Sequence, residues 1–187
     1  AMCLRLVGSE MCIRDSGIRV QIILNNFNIK IFSRTGDDIS LTFPEIKSLE
    51  KNMVILDGEL LVGRNYIPMN FNMLQQRLNR KKVSQKHIDD FPAFVKLYDI
   101  LYLNNEDLRE KNWEERRKIL EGWYCKNKSD FFDLSKIINF NNWENLAEIR
   151  KNEIIDDQHE GLMIKQKYSP YISGRPKGHW YKWKKDP

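Results

Sequence analysis

Asp57-Gly58-Glu59 sets two carboxylates around a glycine inside an apolar run. Glu160-Gly161-Leu162-Met163-Ile164-Lys165 puts a carboxylate at one end of another apolar run and a lysine at the other. Trp180-Tyr181-Lys182-Trp183-Lys184 alternates, so Lys182 and Lys184 belong to one face of a strand. Ser33-Arg34-Thr35-Gly36 holds an arginine beside a glycine that permits a tight turn, and Gly17-Ile18-Arg19 opens the first regular segment. These are the parts a nucleoside triphosphate site requires. Lysine and arginine hold phosphate charge, carboxylates hold a divalent metal and ribose hydroxyls, and an aromatic ring stacks on the base. Each pattern taken alone is an ordinary turn or half of a surface ion pair. Their succession along one chain, each at a strand end, carries the reading.

Other chemistries have no counterpart here. There is no GxxxxGK[ST] loop, no GxGxxG and no GxSxG elbow. His87, His159 and His179 are scattered, and Cys3, Cys12 and Cys125 show no CxxC spacing, so neither a zinc site nor a disulfide framework is indicated. Such cysteine usage fits a reducing, cytoplasmic setting. No apolar run approaches the roughly 20 residues of a membrane span, and no signal-peptide h-region is visible. The 187 residues are 41% hydrophobic and 30% charged, which reads as globular rather than disordered, with a net charge of +5 that favours acidic partners. Between Gly161 and Lys185 stand Lys165, Lys167, Arg175, Lys177, Lys182, Lys184 and Lys185 with no acid, interleaved with Tyr168, Tyr171, Trp180, Tyr181 and Trp183. Base and phosphate contacts take that mixture, and so does a solvated basic strand lined by core aromatics.

The elements that must position these residues come in mixed order. Residues 19–24 and 28–32 read as a hairpin turning at Asn25-Asn26. Thr42, Phe43, Pro44 and Glu45 read as a capping box opening a short helix. Residues 54–62 form a strand interrupted at Asp57-Gly58-Glu59, 70–78 a helix, and 94–103 an apolar strand carrying Tyr98-Asp99. Asn112 caps a helix with Glu115 at its third position, burying Ile119, Leu120 and Trp123. Trp143, Leu146 and Ile149 mark a further helix, and residues 161–164 and 180–183 two closing strands. Residues 1–16 show neither alternation nor a helical stripe. The expectation is one α+β domain, largely antiparallel sheets flanked by helices.

In this order the motifs resemble those of the nucleotidyltransferase (adenylation) domain of ATP-dependent DNA ligases, the bacterial type among them, with an ATP-grasp-like fold. Gly17-Ile18-Arg19 matches the second half of the family's K-x-D-G-x-R. Ser33 to Gly36, Leu56-Asp57-Gly58-Glu59, Tyr98-Asp99, Glu160 to Lys165 and Trp180 to Lys184 match the motifs that follow. Gly174-Arg175-Pro176-Lys177-Gly178 and Lys185-Asp186-Pro187 match the bacterial enzymes. The resemblance implies a reaction in which a lysine takes AMP from ATP, passes it to the 5′-phosphate of a nick in double-stranded DNA, and releases it as the 3′-hydroxyl attacks. It implies ATP and Mg²⁺ as cofactors, and a monomer at work in replication, repair and recombination. It implies that Arg19 meets the ribose, Arg34 a phosphate, Glu59 the ribose or a metal and Tyr98 the adenine. Glu160 helps bind metal, Lys182 and Lys184 hold ATP phosphates, and Lys165 belongs to the same nucleotide site. RNA ligases and mRNA capping enzymes share the sparse motifs, and a non-catalytic nucleotide- or nucleic-acid-binding module is the alternative of another class.

One departure bears on activity. The resemblance sets Arg14 where the nucleophilic lysine belongs and Ser16 where the aspartate belongs. A guanidinium stays protonated at any ordinary pH and cannot take that role, so no enzyme–AMP adduct is expected. Residues 1–16 read as a non-native leader, a translated sequencing adapter, with the family match expected from Gly17. Family members run on past the position of Pro187 into an OB domain, so 17–187 is expected to be a nucleotidyltransferase domain truncated at both ends.

Overall fold

The computed structural model describes residues 9–78, 80, 82–138, 140, 142–153, 159–174 and 178–184. Two sheets carry the chain. The larger is built on β2 (Ile18–Asn25), β3 (Asn28–Ser33), β4 (Val54–Arg64), β6 (Ala93–Leu103) and β7 (Glu106–Asp107), in the order β3-β2-β4-β6-β7. The two-residue strand β5 (Ile67–Pro68) pairs with β4, and β8 (Phe132–Leu134) runs parallel to β6; the other pairings are antiparallel. The smaller sheet has the order β11-β10-β1-β9, from β1 (Ser9–Asp15), β9 (Ile137–Ile138), β10 (His159–Gln166) and β11 (Trp180–Lys184). Helices α1 (Phe71–Leu78), α2 (Gln85–Asp90), α3 (Trp113–Lys126) and α4 (Trp143–Glu153) complete the α+β arrangement. No helix among the described residues is long and apolar enough to cross a membrane.

Alternation in β2 sends Val20, Ile22 and Leu24 into the main core and leaves Arg19, Gln21 and Ile23 on the other face. The same core takes Leu56, Leu60 and Val62 of β4, Val95, Leu97 and Ile100 of β6, and Leu120 and Trp123 of α3. The smaller sheet buries Leu162 and Ile164 against Leu146 of α4, with Ile149 and Trp183 packed alongside. Register then assigns the opposite face of that sheet to Met163, Lys165, Trp180 and Lys182, because Met163 pairs with Lys182 and Lys165 with Trp180. That face meets the larger sheet, and the candidate site lies between the two.

The hairpin of β2 and β3, the α3 capping box and the β10–β11 closing pair are as the sequence leads one to expect. Asn112 accepts from the Glu115 amide at 2.9 Å, and the Glu115 carboxylate accepts from the Asn112 amide at 3.1 Å. Four readings change. The hairpin turns on Asn26 and Phe27, both at positive φ, one residue later than expected. No helix follows Thr42; a single 3-10 turn, Ser40–Thr42, ends on it, because the Glu45 carboxylate is committed to the two terminal guanidinium nitrogens of Arg77 rather than to a helix cap. β4 runs through Asp57-Gly58-Glu59 without a break. A side chain at Gly58 would meet Val95 Cγ1 at 2.6 Å and the Lys96 carbonyl oxygen at 2.9 Å, so the glycine serves close packing on β6 rather than a turn. Finally, Ser9–Asp15 is a regular strand, paired with β10 on one side and β9 on the other. A strand held on both edges is fixed by backbone ladders, which leave no signature in side-chain alternation.

Candidate functional site

Asp57 is the centre of the site. It is fully buried, and it collects four donated hydrogen bonds. Arg19 gives two, Nε to Oδ1 at 3.0 Å and Nη2 to Oδ2 at 2.5 Å. The Tyr98 hydroxyl donates to Oδ1 at 3.0 Å and the Tyr171 hydroxyl to Oδ2 at 3.0 Å. Tyr171 in turn accepts from Arg19 Nη2 at 2.6 Å and from Gln21 Nε2 at 3.2 Å. Strand register explains the convergence: Gln21 pairs with Asp57 and Arg19 with Glu59, so all four share one face of the sheet. Gly17 lets the chain enter β2 this close to β4, since a side chain there would stand 2.6 Å from the Leu60 carbonyl oxygen.

Tyr98 reaches this face through a β-bulge. On β6, Leu97 pairs with Gly58 and Asp99 with Asp57, which leaves Tyr98 as the extra residue. Its neighbour Asp99 has a structural partner, Arg116 of α3, in a bidentate pair of 2.8 and 2.9 Å with both side chains inaccessible to solvent. Burial pushes the Asp99 carboxyl up, and the hydrogen bonds and charge of Arg116 pull against that.

Electrostatics follow from burial and from Asp57. Burial works against the charge of Arg19, but its hydrogen bond to Asp57 and the charge of that carboxylate outweigh it and hold the guanidinium above arginine's ordinary value. The Tyr98 phenol is raised well above its usual range by burial, then by the charges of Asp57 and Glu59. Burial and Asp57 push the Tyr171 phenol up to about 12. Both phenols therefore stay protonated as donors near neutral pH.

Across from this cluster, Lys165 is buried, and its Nζ has no hydrogen-bond acceptor among the described residues. It lies 4.5 Å from the centroid of Tyr98, 4.8 Å from Trp180 and 5.5 Å from Trp113. Three rings solvate one ammonium. The ammonium covers one face of the Tyr98 ring. Glu59 is half-buried beside Arg19, and Lys182 is exposed on the same face of the smaller sheet as Lys165. Arg34 is exposed in the turn after β3, and makes no ion pair among the described residues.

The side chains of Arg14, Glu160 and Lys184 lie outside the described residues, and so do Arg175 and Lys177; backbone register places the first three. Arg14 pairs with Gly161 and Gly161 with Lys184, one row across three strands. Glu160 is the extra residue of a second bulge, since Arg14 pairs with Gly161 but Asp15 with His159. The motif positions Arg19, Glu59 and Tyr98 thus lie on the larger sheet facing Lys165, Lys182 shares the face of Lys165 by register, and Arg34 stands apart in its turn. Reading by motif missed three residues: Asp57 as the hub, Tyr171 as its second tyrosine and Trp113 as a wall of the lysine cage. An acid inside an apolar strand was a usable signal for Asp57; Tyr171 was marked only as one of the aromatics interleaved in the basic stretch, without a role, and nothing local marks Trp113. Among the described residues no group of three or more His, Cys, Asp or Glu is placed to hold a metal.

The sequence matches the ATP dependent DNA ligase domain family over residues 12–184, a span that opens five residues before Gly17. A DNA ligase of Archaeoglobus fulgidus is 35% identical over 172 residues, 89% of this chain and 30% of that protein. DNA ligase 1 of Methanosarcina barkeri is 33% identical over 188 residues, 91% of this chain and 33% of that protein. A probable DNA ligase of the bacterium Koribacter versatilis is 29% identical over 201 residues, 91% of this chain and 34% of that protein. The chain thus spans 30% to 34% of the length of these relatives. Among solved structures, mycobacterial DNA ligase D complexed with ATP and MES aligns with a TM-score of 0.76 at 22% identity, covering 96% of this chain and 55% of that one. The ATP-dependent DNA ligase of bacteriophage T7 in complex with ATP aligns at 0.66 and 20% identity, covering 98% and 64%. At these identities the structural likeness concerns the fold. With the family match over residues 12–184 and a relative 35% identical across 89% of this chain, this chain belongs to the ATP-dependent DNA ligase domain family.

Proposed function

We propose that this chain is the adenylation core of a ligase that seals nicks in double-stranded DNA through a lysyl-AMP intermediate, and that the chain as it stands binds ATP without forming that adduct. The row Arg14, Gly161, Lys184, beside Lys165 and Lys182 and opposite the Arg19–Asp57–Tyr98 cluster, carries the reading. In such an enzyme a lysine amine displaces pyrophosphate from the α-phosphate of ATP. The AMP passes to the 5′-phosphate of the nick, and the 3′-hydroxyl displaces it.

The fit to ATP rests on Lys165, a buried ammonium with rings around it and no acceptor among the described residues, which a ligand's acceptor atom would complete. Tyr98 offers a ring to adenine. Arg19, held by Asp57, meets the ribose. Lys182 and Lys184 neutralise phosphate charge, and Arg34, free of the sheets, meets the 5′-phosphate of the nick. Mg²⁺ takes one or two carboxylates together with substrate phosphates rather than an all-protein cage. Both oxygens of Asp57 are engaged. Glu59 and Glu160, the carboxylates at the matching motif positions, would hold the ion, which when bound offsets charge on the transferring phosphoryl group. Arg14 adds a fixed positive charge in the nucleophile's place but keeps its proton at ordinary pH and so offers no lone pair for attack. The bacterial type is supported by Gly174 to Gly178 and Lys185 to Pro187; the relatives above include archaeal and bacterial enzymes.

Labelling with α-labelled ATP tests this. The chain should take up no label that survives denaturation, whereas the double variant Arg14→Lys/Ser16→Asp should retain it. Label on the unaltered chain would sink the assignment of Arg14 to the nucleophile's place. A double variant that neither binds nor retains ATP would sink the nucleotide site itself. Arg14 is also the observation that favours a second reading, a non-catalytic nucleotide or nucleic-acid binder, which predicts salt-sensitive DNA binding without any dependence on ATP or Mg²⁺. A full-length gene product that joined only RNA nicks would place the protein with the RNA-joining relatives.

A further inference from the structure

We infer that Tyr171 is a positioning residue of the nucleotide site, one that orients Arg19 toward the ribose and sets how strongly the site reads ribose hydroxyls. The inference rests on the ligase-domain reading of the cleft.

Tyr171 belongs to the connection between β10 and β11, which is part of neither sheet, yet its hydroxyl is inserted into the cluster on the larger sheet. It accepts from Arg19 Nη2 at 2.6 Å and from Gln21 Nε2 at 3.2 Å, and it donates to Asp57 Oδ2 at 3.0 Å. A hydroxyl has one proton and two lone pairs, so all its capacity is used. The ring is fixed as well. The Arg116 guanidinium carbon lies 5.7 Å from its centroid, and Trp180 meets it edge-on at 6.3 Å. The Tyr171 amide donates to the Arg109 carbonyl at 2.8 Å, tying the connection to the segment before α3.

The geometry limits what this residue can do. The Arg19 side chain is 37% exposed, so its guanidinium has one edge on Asp57 and another toward solvent. Nη2 is shared between Asp57 and Tyr171. The bidentate pair with Asp57 sets the in-plane orientation of the guanidinium, and the Tyr171 hydroxyl, an acceptor in a third direction, restrains the twist about the Arg19–Asp57 axis that the pair leaves soft. An arginine whose plane is fixed presents its remaining N–H groups to a ligand hydroxyl at one angle, and the entropy of ordering is not charged to binding. Tyr171 also spans the two walls of the cleft, so the ribose contact and the cage around Lys165 are set at a common spacing through Trp180.

The test measures affinity for ATP, 2′-deoxyATP and 3′-deoxyATP in the chain and in Tyr171→Phe, with thermal stability recorded in parallel. The expected result is that Tyr171→Phe remains folded, loses about tenfold in ATP affinity and far less for whichever deoxy analogue lacks the hydroxyl that Arg19 reads, so that discrimination between them falls toward one. Gln21→Met, which removes one donor to the same hydroxyl, should shift the ratio in the same direction by a smaller factor. Should Tyr171→Phe fail to fold, the Gln21→Met ratio decides alone: reduced supports the inference, unchanged overturns it. A folded Tyr171→Phe with wild-type discrimination, or one that weakens all three nucleotides equally, overturns the positioning role and leaves the ligase-domain reading intact. If the unaltered chain binds none of the three nucleotides, the reading of the cleft falls and this inference falls with it.

Discussion

Asp57 accepts from three side chains that come from three separate parts of the chain, and each of those donors is oriented by it. Removing the carboxylate leaves an arginine and two phenols facing one another. Asp57→Ala is therefore expected to cost roughly 2–4 kcal/mol, less than the loss of a fully buried pair because Arg19 reaches solvent. Denaturant unfolding checks this, and a loss below about 1 kcal/mol, the level of an ordinary hydrogen bond, would mean that the cluster is not the anchor described. The tyrosines make a second prediction. Folding raises Tyr171 from 10.0 to about 12, and raises Tyr98 well above 10.0. A phenol raised in the folded state favours the protonated form. Its contribution is fully present below pH 10 and is lost as pH rises through about 12. Melting temperature should fall across that window in step with phenolate absorbance, and the fall should be shallower in Tyr171→Phe. An equal slope in both proteins would remove Tyr171 as its source.

At the level of elements, the placement of site residues depends on two bulges and one cap. Tyr98 and Glu160 are each the extra residue of a bulge, and each belongs to a motif. A bulge re-aims a side chain that strict alternation would send elsewhere, which is why such irregularities gather at sites. Helix α3 matters because it carries Trp113 to the lysine cage and Arg116 to Asp99. Its first turn is closed by Asn112 and Glu115 reciprocally. Asn112→Ala should cost about 1 kcal/mol. In a domain of this size that corresponds to about 2–4 °C in melting temperature, which calorimetry resolves. No change would mean that neighbouring packing alone holds the helix start.

For the whole molecule, the question is what keeps the two sheets at a fixed spacing across the cleft. Arg116 is the strut. It grips Asp99 of the larger sheet, donates to the Lys111 carbonyl at 2.5 Å, and lies against the ring of Tyr171 on the β10–β11 connection. Arg116→Leu leaves the Asp99 carboxylate buried with its bidentate cation gone and only the Ile100 amide donating to it, and should cost about 3–5 kcal/mol. The double variant Asp99→Asn/Arg116→Leu should recover much of that, because the uncompensated charge is gone. Equal losses in single and double variants, read by denaturant titration, would place the damage in packing rather than charge.

Local and periodic features were legible in the chain alone. Alternation marked β2, β3 and β11, the Asn112–Glu115 spacing marked the start of α3, and the ordered motifs singled out Arg19, Glu59, Tyr98 and Lys165, which lie on the facing sides of the two sheets, but also Arg34, which stands apart. The sequence also determined the family, because motif order survives where overall identity is low. Tertiary structure decided what depends on partners distant in the chain. Glu45 abandoned its capping box for Arg77, which no neighbouring residue announces. Ser9–Asp15 became a strand by pairing on both edges, a backbone property that its side chains do not encode. Asp57 became the hub only once Gln21 and Arg19 were brought alongside by register and Tyr171 was delivered from more than a hundred positions away. Lys165, ambiguous by alternation alone, was turned into the cleft because Leu162 and Ile164 claimed the other face for the core under α4. Local rules fix what a segment prefers; burial and the pairing of buried charge fix which of its faces the site receives.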